Sequence, residues 1–332
     1  MATIKEIADR LGVSISTVSK GLNGASDVSH ELKQTILDTA VEMGYTTKRM
    51  KKEENKKLCI FVENMDYESS SHFCYDVILG FKQSAFRENW SVTVLPITPT
   101  FQSQEKYDTF MLKNGYSGAF LIGLNLQDLW IDQIKTTTIP TVLFDNYVRF
   151  NPNVAYVGTD SSEGIDIAIE HLCHLGHRKI AFLNGSLHSM ITELREQAFF
   201  NSMEAHNIPV NKDLLANGSY IADSAKDYVP RFLDLGATAI LCGNDLIAYG
   251  VIRECEMRGF RIPEDISVIG FDDLPLSAHL NTALTTIRQD RIELGKCSYL
   301  ALHGLLNHIS IGNITLRPQF IVRNSTAKVV DR

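Results

Sequence analysis

The sequence predicts a small all-helical domain followed by two α/β lobes, each a doubly wound parallel sheet. In the first 45 residues, apolar side chains recur at the spacing of short amphipathic helices. Past residue 57, short apolar runs alternate with helical segments, which is typical of parallel sheets covered on both faces. A length of 332 residues also exceeds what one core of ordinary size organises.

The first helix carries one apolar stripe formed by Ile4, Ile7, Ala8 and Leu11. Gly12 follows the last of these residues, where a left-handed residue commonly ends a helix. The pattern therefore predicts a short helix and then a tight turn.

The second helix begins at Ser14, which is placed to cap it, and packs Val18 and Leu22 against the first helix. Its other side chains are suited to base edges and phosphates. They are Ile15, Ser16, Thr17, Ser19 and Lys20. A third helix, capped by Ser29 and ended by Gly44, completes a self-sufficient domain.

Two interpretations fit this helix pair. A plain αα-hairpin within a larger domain is common, whereas a helix-turn-helix binds DNA. The exposed hydroxyls and the third helix favour the helix-turn-helix.

The charge distribution supports contact with DNA at one end of the molecule. The chain has a net charge of −7, yet residues 1–57 hold ten Lys/Arg against eight Asp/Glu. Six of those cations fall within residues 48–57, which form a polar segment expected to be a linker. A basic head on an acidic body suits a protein that approaches the DNA backbone with its head only.

The α/β region is predicted from seven strands and seven helices. The predicted strands are Leu58–Val62, Val92–Ile97, Ala119–Ile122, Thr141–Phe144, Ile180–Leu183, Ala239–Cys242 and Ile266–Phe271. The predicted helices cover 75–88, 103–114, 127–135, 162–175, 190–206, 224–235 and 246–258. Ligands of such folds bind at the carboxyl ends of the strands, in a cleft when two lobes are present.

Several classes of function are not expected. No window is long and apolar enough for a membrane span and no export signal is visible, so we expect a cytoplasmic protein. The six scattered cysteines suit reduced thiols. His171, His174 and His177 could suggest a metal, but no carboxylate or cysteine follows at zinc spacing, so neither metal nor cofactor is expected. No nucleophile–base set or dinucleotide fingerprint indicates an enzyme.

The chain resembles the lactose-repressor/galactose-repressor family of bacterial transcription regulators over nearly its whole length. The matching segments are Thr3–Asn23, Glu42–Tyr45, Glu170–Ile180, Asn244–Gly250, Ile262–Asp273 and Leu284–Gln289. The resemblance implies a helix-turn-helix headpiece and a core of two lobes like those of periplasmic sugar-binding proteins. The implied domains are 1–46 (headpiece), 47–57 (hinge), 58–160 with 291–310 (N-terminal lobe), and 161–290 with 311–328 (C-terminal lobe).

The resemblance also implies a homodimer whose two recognition helices enter successive major grooves of a near-palindromic operator. It assigns base contacts to Ile15, Ser16 and Lys20. The implied phosphate contacts are Thr3, Ser14, Thr17, Ser19 and Asn23. Relatives usually carry Arg where Lys20 stands, so the bidentate fork is lost here, and a phosphate contact is the alternative for Lys20.

The hinge departs most from relatives, which usually carry Pro-Asn and a helix whose Leu wedges into the minor groove. Here Thr47-Lys48 stands instead, and Met50 is the single apolar residue able to serve as that wedge. A disordered cationic tether is the alternative.

The resemblance places the effector site between the lobes. Arg195 and Asp272 are its implied charged groups, able to bind sugar hydroxyls or a carboxylate. The other implied residues are Phe73, Tyr220, Asn244 and Asp245, with Asp145, Asp160, Gln289 and Arg291 as weaker candidates. Each Asp has the alternative of capping a helix after a strand. This set fits a sugar, a sugar phosphate or a purine.

The sequence therefore predicts a ligand-responsive repressor of a carbohydrate-utilisation operon. The dimer interface is expected on helix 75–88 and near 274–284. The alternative is a sugar-binding protein without a transcriptional role, which leaves the helix-turn-helix unexplained.

Overall fold

The computed structural model describes residues 2–45 and 56–329. Its first three helices form the head, and they match the predicted ones. They are α1 (Ile4–Leu11), α2 (Ile15–Leu22) and α3 (His30–Glu42). Gly12 adopts a left-handed φ of 65° at the end of α1, as its position after the apolar stripe predicts.

The remaining described residues alternate strands and helices. The first group is β1 (Lys57–Val62), α4 (Phe73–Arg87), β2 (Ser91–Pro96), α5 (Pro99–Gln104), α6 (Tyr107–Asn114), β3 (Gly118–Ile122), α7 (Leu129–Ile134), β4 (Thr141–Phe144) and β5 (Val154–Thr159). The second is α8 (Ser161–His174), β6 (Ile180–Asn184), α9 (Met190–Ala205), β7 (Leu215–Asn217), α10 (Ala225–Asp234), β8 (Ala239–Cys242), α11 (Asp245–Met257), β9 (Ser267–Asp272) and β10 (Thr285–Arg288). The last is α12 (Arg291–Leu306), β11 (Asn313–Leu316) and β12 (Gln319–Ile321).

These strands form two sheets with one topology, and the predicted fold class is confirmed. Within the described residues, the first sheet has the order β11-β5-β4-β3-β1-β2 and the second β12-β10-β9-β8-β6-β7. Both contain the 2-1-3-4-5 order of doubly wound folds, with parallel pairing through their centres. The antiparallel strand β12 pairs with β10 at one edge of the second sheet.

The predicted helix 103–114 is wrong, because two helices stand there. Glu105 ends α5 with an extended backbone (φ −122°, ψ 123°), and its carbonyl accepts a 2.8 Å hydrogen bond from the Trp130 indole. Strands β5, β7, β10, β11 and β12 and helix α12 were not predicted. Apolar residues of α12 are spread around the helix without a single stripe, so its sequence lacks the periodic signal of an amphipathic helix.

By contacts, the chain divides into two compact units whose limits differ from the predicted lobes. Unit 1 comprises the residues up to Met65, Phe81–Val157 and Lys296–Ile314; unit 2 comprises Asp66–Gly80, Gly158–Gly295 and the residues from Thr315 onward.

Each difference has a local cause. The head groups with unit 1, where Thr109 donates a 2.9 Å hydrogen bond to Asp38 of α3. Residues 311–314, predicted in the C-terminal lobe, group with unit 1 because Tyr156 of β5 donates its backbone N–H to Gly312 at 2.8 Å. Residues 66–80, predicted in the N-terminal lobe, group with unit 2 because Asp76 pairs with Arg291.

Candidate nucleic-acid interface and ligand site

The core of the head fixes which face of α2 is exposed. Ile7, Val18 and Ile36 are fully buried between the three helices. Gly21 allows α2 to approach α3 closely, since a Cβ there would lie 2.5 Å from Ile36 Cδ1. The side of α2 that carries Val18 and Gly21 therefore packs inward, and the opposite side faces away from the core.

The outward face of α2 gathers most of the residues predicted to contact DNA. At 100° per residue, these residues lie within an arc of about 140°. They are Ile15, Ser16, Ser19, Lys20 and Asn23. Ile15 is 52% exposed although it is a large apolar residue, so its side chain has no partner in the head core and is available for a thymine methyl.

Two predicted phosphate contacts also cap helices. Thr3 and Glu6 form a capping box, in which Thr3 Oγ1 accepts from Glu6 N at 3.3 Å and Glu6 Oε2 accepts from Thr3 N at 2.7 Å. Hydrogen bonding from Thr3 keeps the pKa of Glu6 below its usual value. Ser14 Oγ accepts from Thr17 N at 3.0 Å and lies 2.9 Å from Ser16 Oγ.

The remaining polar residues of α2 have partners within the head. Lys20 Nζ lies 2.5 Å from Asp27 Oδ2, and Asn23 Nδ2 donates to Ser19 O at 2.7 Å. Asp27 was not predicted as part of this interface, and its position in the loop after α2 is the signal that sequence reasoning missed. Met50, the predicted hinge residue, lies outside the described residues.

In unit 2, three of the predicted effector residues meet at the carboxyl ends of the second sheet. Asp272 ends β9, and its Oδ1 accepts a 2.7 Å hydrogen bond from Gln289 Nε2. Burial raises the pKa of Asp272 to about 6, against the opposing effect of the Arg195 guanidinium. Gln289 Oε1 is buried and accepts no hydrogen bond from the described residues, which leaves an acceptor beside this carboxylate.

The Arg195 side chain is almost completely buried and tightly held. Its guanidinium carbon lies 3.7 Å from the centre of the Phe271 ring, and its Nη1 donates to Gly243 O at 2.6 Å. Its Nε approaches Ser161 Oγ at 3.4 Å. Phe271 and Ser161 were not predicted as part of the site. A phenylalanine or a serine that supports an arginine looks the same in the sequence as one that belongs to the ordinary core.

The turn after β9 has an unusual backbone. Asp272 and Asp273 have φ of 111° and 53°, values that non-glycine residues rarely adopt. Arg288 and Arg323 each place a nitrogen 2.6 Å from an Asp273 carboxylate oxygen. Arg291 Nη1 also donates to the carbonyl oxygens of Asp272 and Asp273, at 3.3 and 3.0 Å. Arginines thus hold the strained turn from both its side-chain and its backbone oxygens.

Arg291 joins this turn to the helix that carries Phe73. Its Nε and Nη2 each donate to Asp76 Oδ2 at 3.0 Å, and Asp76 lies one turn after Phe73 on α4. The weaker candidate Arg291 is therefore in contact with the turn at Asp272. Phe73 is linked to this turn through α4, whose Asp76 binds Arg291.

Other predicted effector residues have internal partners. Asp245 is fully buried and accepts hydrogen bonds from Leu274 N, Ser277 Oγ and Thr286 Oγ1 at 2.6–2.7 Å. Burial, then the charge of Asp272, raises its pKa to about 7. These three hydrogen bonds direct both carboxylate oxygens of Asp245 into the fold.

Asn244 and Tyr220 hold loops next to the site. Asn244 Oδ1 caps α11 by accepting from Ile247 N at 2.9 Å, and its Nδ2 donates to Tyr220 O at 3.4 Å. The Tyr220 hydroxyl lies 2.8 Å from Thr192 Oγ1, with its ring against Gly185. A side chain at Gly185 would fill the space of this ring.

Of the remaining weaker candidates, Asp160 caps α8 by accepting from Glu163 N at 3.0 Å, as its alternative interpretation holds. Asp145 follows β4 in unit 1 with a φ of 51°. His171 and His177 bind Thr326 Oγ1 and Ala327 O, both at 3.0 Å. Burial lowers the pKa of both histidines. Across residues 2–45 and 56–329, no helix combines the length and apolarity of a bilayer span.

Comparisons with known proteins agree with this arrangement. Residues 3–48 match the bacterial regulatory proteins of the lacI family, and residues 169–326 match the periplasmic binding protein-like domain. The chain is 26% identical to the HTH-type transcriptional repressor PurR of Mannheimia succiniciproducens, over 99% of this chain and 100% of that protein. It is 28% identical to the probable HTH-type transcriptional repressor ExuR of Bacillus subtilis, over 99% of both chains.

A solved structure extends the likeness to the whole fold. The lac repressor dimer bound to operator and the anti-inducer ONPF superposes with a TM-score of 0.70 at 25% identity, covering 98% of this chain and 99% of that chain. Family members of this kind are transcriptional repressors and not enzymes. The head, the two sheets and these matches together show that the chain belongs to the lacI family of bacterial regulatory proteins.

Proposed function

We propose that this protein is a ligand-responsive repressor of a carbohydrate-utilisation operon, acting in the cytoplasm as a homodimer on a near-palindromic operator. The observation that carries the proposal is the outward face of α2, which combines an exposed Ile15, hydroxyls and one cation. A receptor that binds sugar without a transcriptional role has no use for such a face.

In this proposal, α2 enters the major groove and divides its contacts between bases and backbone. Ile15 meets a thymine methyl, while Ser16 and Lys20 donate to base edges. The phosphates are bound by residues around them. These are Thr3, Ser14, Thr17, Ser19 and Asn23. The first turn of α2 adds its free backbone N–H groups and positive dipole, which attract a phosphate.

The proposed effector is a polyhydroxylated small molecule such as a sugar. Asp272 accepts hydrogen bonds from hydroxyls, Arg195 donates to them, and Gln289 offers its unoccupied buried Oε1. Phe73 supplies an aromatic face on α4, as the family resemblance implies. Asn244, Tyr220 and Asp245 shape the surrounding loops through the internal bonds described above.

A homodimer accounts for the apolar surface of α4. Tyr75, Leu79 and Phe86 are 37%, 36% and 79% exposed on this one helix, an unusual grouping for a surface in contact with water. This helix is the first of the two predicted interface regions, with residues 274–284 as the second. Two copies would place two heads on two half-sites.

The DNA-binding part is tested by selecting duplexes from a random pool with the full chain and measuring their affinity by gel shift. We expect a near-palindromic consensus and an affinity that falls steeply with salt, because phosphate contacts release counterions. Failure to enrich any sequence would contradict the proposal.

The effector part is tested by thermal-shift screening of sugars, sugar phosphates and nucleobases, then by Asp272→Asn. This change keeps the shape of the side chain while removing its charge. We expect Asp272→Asn to lose the ligand-induced shift and the ligand effect on DNA affinity, with DNA affinity alone near that of wild type. Asp234→Asn, at an exposed aspartate of α10 outside the predicted site, serves as the matched control. An unchanged ligand titration in Asp272→Asn would remove Asp272 from the site.

A further inference from the structure

Lys20 is the single charged residue of α2, and it is paired. Its Nζ lies 2.5 Å from Asp27 Oδ2, with 53% and 57% of the two side chains exposed. The hydrogen bond from Lys20 lowers the pKa of Asp27, so the carboxylate is ionised at neutral pH. The DNA-facing helix therefore carries its only cation together with an anion.

The loop after α2 places this carboxylate through its backbone. Ala25 N donates to Lys20 O at 3.0 Å, and Gly24 adopts a φ of 73° that turns the chain back over the end of the helix. Val28, next to Asp27, is 8% exposed and anchors the loop in the head core. Because an aspartate side chain is short, the fixed backbone of the loop also fixes the position of the Asp27 carboxylate. The longer, flexible side chain of Lys20 extends to meet it.

The position of the pair at the end of α2 also has an electrostatic consequence. A lone carboxylate at a helix C-terminus is disfavoured by the dipole, whereas a lysine there is favoured. Asp27 near the end of α2 is therefore tolerated because Lys20 neutralises it. Lys33 of α3 is a second, weaker positive influence on Asp27.

Pairing changes what Lys20 can do on DNA. A free ammonium is attracted to any phosphate, which contributes affinity without sequence information. An ammonium that gives one N–H to Asp27 keeps two donors. The lysine and the aspartate together have little net charge, so the pair attracts the DNA backbone weakly. With the position of the ammonium fixed by Asp27, its two remaining N–H groups can donate to guanine O6 and N7, the contact that an arginine fork makes by its rigidity.

We propose that Asp27 is a specificity-determining residue, which orients the Lys20 ammonium toward a guanine edge and suppresses its attraction for phosphates. The inference rests on the proposed function, since it concerns how the same head reads its operator. A lysine–aspartate pair would thus replace the arginine usual at this position in related heads.

The test compares Asp27→Asn with wild type in the full chain. The probes are the duplex selected by the wild-type protein and a scrambled duplex of equal length, titrated at several salt concentrations. Specificity is measured as the dissociation constant for the scrambled duplex divided by that for the selected duplex. We expect this ratio to fall about 10-fold in Asp27→Asn, mostly because the variant binds scrambled DNA more tightly. For scrambled DNA, the slope of log affinity against log salt concentration should become steeper by about 0.9 per head, because one more cation reaches a phosphate. Asp9→Asn, which removes an exposed carboxylate from α1, is the matched control and should leave the ratio unchanged.

Two further variants separate positioning from simple loss of charge. In a Lys20→Ala background, Asp27→Asn should no longer alter the ratio. In a Lys20→Arg background, the arginine fork needs no carboxylate, so specificity should again be insensitive to Asp27→Asn.

An unchanged ratio in Asp27→Asn, or an equal loss of affinity for both duplexes, would overturn the inference. The same fall in Asp9→Asn would also overturn it, because overall charge would then be the cause. Failure of the wild-type protein to select any duplex is a different result and would count against the proposed function itself.

Discussion

Ser14 shows at the scale of one residue how a helix cap and a predicted phosphate contact share an oxygen. Its Oγ accepts from Thr17 N at 3.0 Å and so satisfies a backbone donor at the start of α2. Phosphate binding would use the same hydroxyl as a donor. The two roles differ in their response to negative charge, because a carboxylate caps a helix well but repels a phosphate.

Ser14→Asp should therefore keep the head folded while weakening operator binding. We expect a melting temperature close to that of wild type, since Asp and Ser are similar caps. Affinity for the selected duplex should fall at least about 10-fold at low salt, from the lost contact and the added repulsion. Ser14→Asn, a neutral cap, should bind far better than Ser14→Asp. Equal affinity of the two variants would show that no phosphate lies near Ser14.

Glu63 is a buried carboxyl group with a pH-dependent contribution to stability. It follows β1, is 1% exposed, and accepts a hydrogen bond from Gln102 Nε2. Burial, then the charge and hydrogen bond of Asp128, raises its pKa to about 8. Because burial disfavours the charged form of this carboxyl group, the folded protein holds a proton here that the unfolded chain releases above its ordinary pKa of 4.5.

The sign of the effect follows from this proton. Between pH 4.5 and about 8 the folded state binds more protons at Glu63 than the unfolded state, so stability falls as pH rises. Glu63→Gln should remove this dependence on pH. The melting temperature of the variant minus that of wild type should therefore be at least ~3 °C larger at pH 8.5 than at pH 5. Glu264→Gln, at an exposed glutamate, is the control. An offset between Glu63→Gln and wild type that is equal at both pH values would contradict the prediction.

At the scale of elements, close backbone approach locks α4 to the start of α12 in unit 2. A Cβ at Gly80 would lie 2.1 Å from the carbonyl oxygen of Ile292, a backbone atom that cannot rotate away. The Arg291–Asp76 bonds lie on the same two helices. The helix that carries Phe73 is thus positioned by a glycine contact and an ion pair together.

Gly80→Ala should destabilise the protein by about 1–3 kcal/mol, the usual cost of overpacking a tight contact. The measurement is urea unfolding followed by circular dichroism. Gly312→Ala is the matched control, because a Cβ there meets no heavy atom within 4 Å. If both variants unfold at the same urea concentration, the two helices are not locked at Gly80.

At the scale of the whole molecule, the parts that could be predicted are those with a local signal. The caps Ser14 and Ser29 and the left-handed Gly12 are determined by nearby residues, and the structure has them as predicted. The strand Ala239–Cys242 was predicted with its observed bounds, since a short apolar run between turns is itself the signal. The fold class could also be predicted, because strands and helices alternate along the sequence. The order of strands within each sheet depends on long-range pairing and has no such local signal.

The parts that could not be predicted depend on contacts between distant residues. The inward-facing Asp245 and the Asp273–Arg323 pair join positions far apart in sequence, so no local pattern indicates them. The same holds for β11 and β12, whose short runs are weak strand signals until β5 and β10 provide a partner.

A truncation after Leu316 should affect the two units differently. It keeps β11 beside β5 but removes β12 and the Ser325 hydroxyl, which bridges Val268 O and Thr285 N at 2.6 and 2.8 Å. We expect limited proteolysis to cut first within 158–295, because the second sheet then has an open edge. First cleavage within 81–157 would contradict this expectation.

The late position of these two strands also bears on when the protein can fold during synthesis. Each sheet has its central strands by residue 288, yet the edges at β5 and β10 stay uncovered until residues 313–321 have been made. A nascent chain would therefore carry two unfinished sheets at once, both open to pairing with neighbouring chains on the same messenger RNA. For this protein, both sheets are therefore completed together, within the few residues of synthesis that supply β11 and β12.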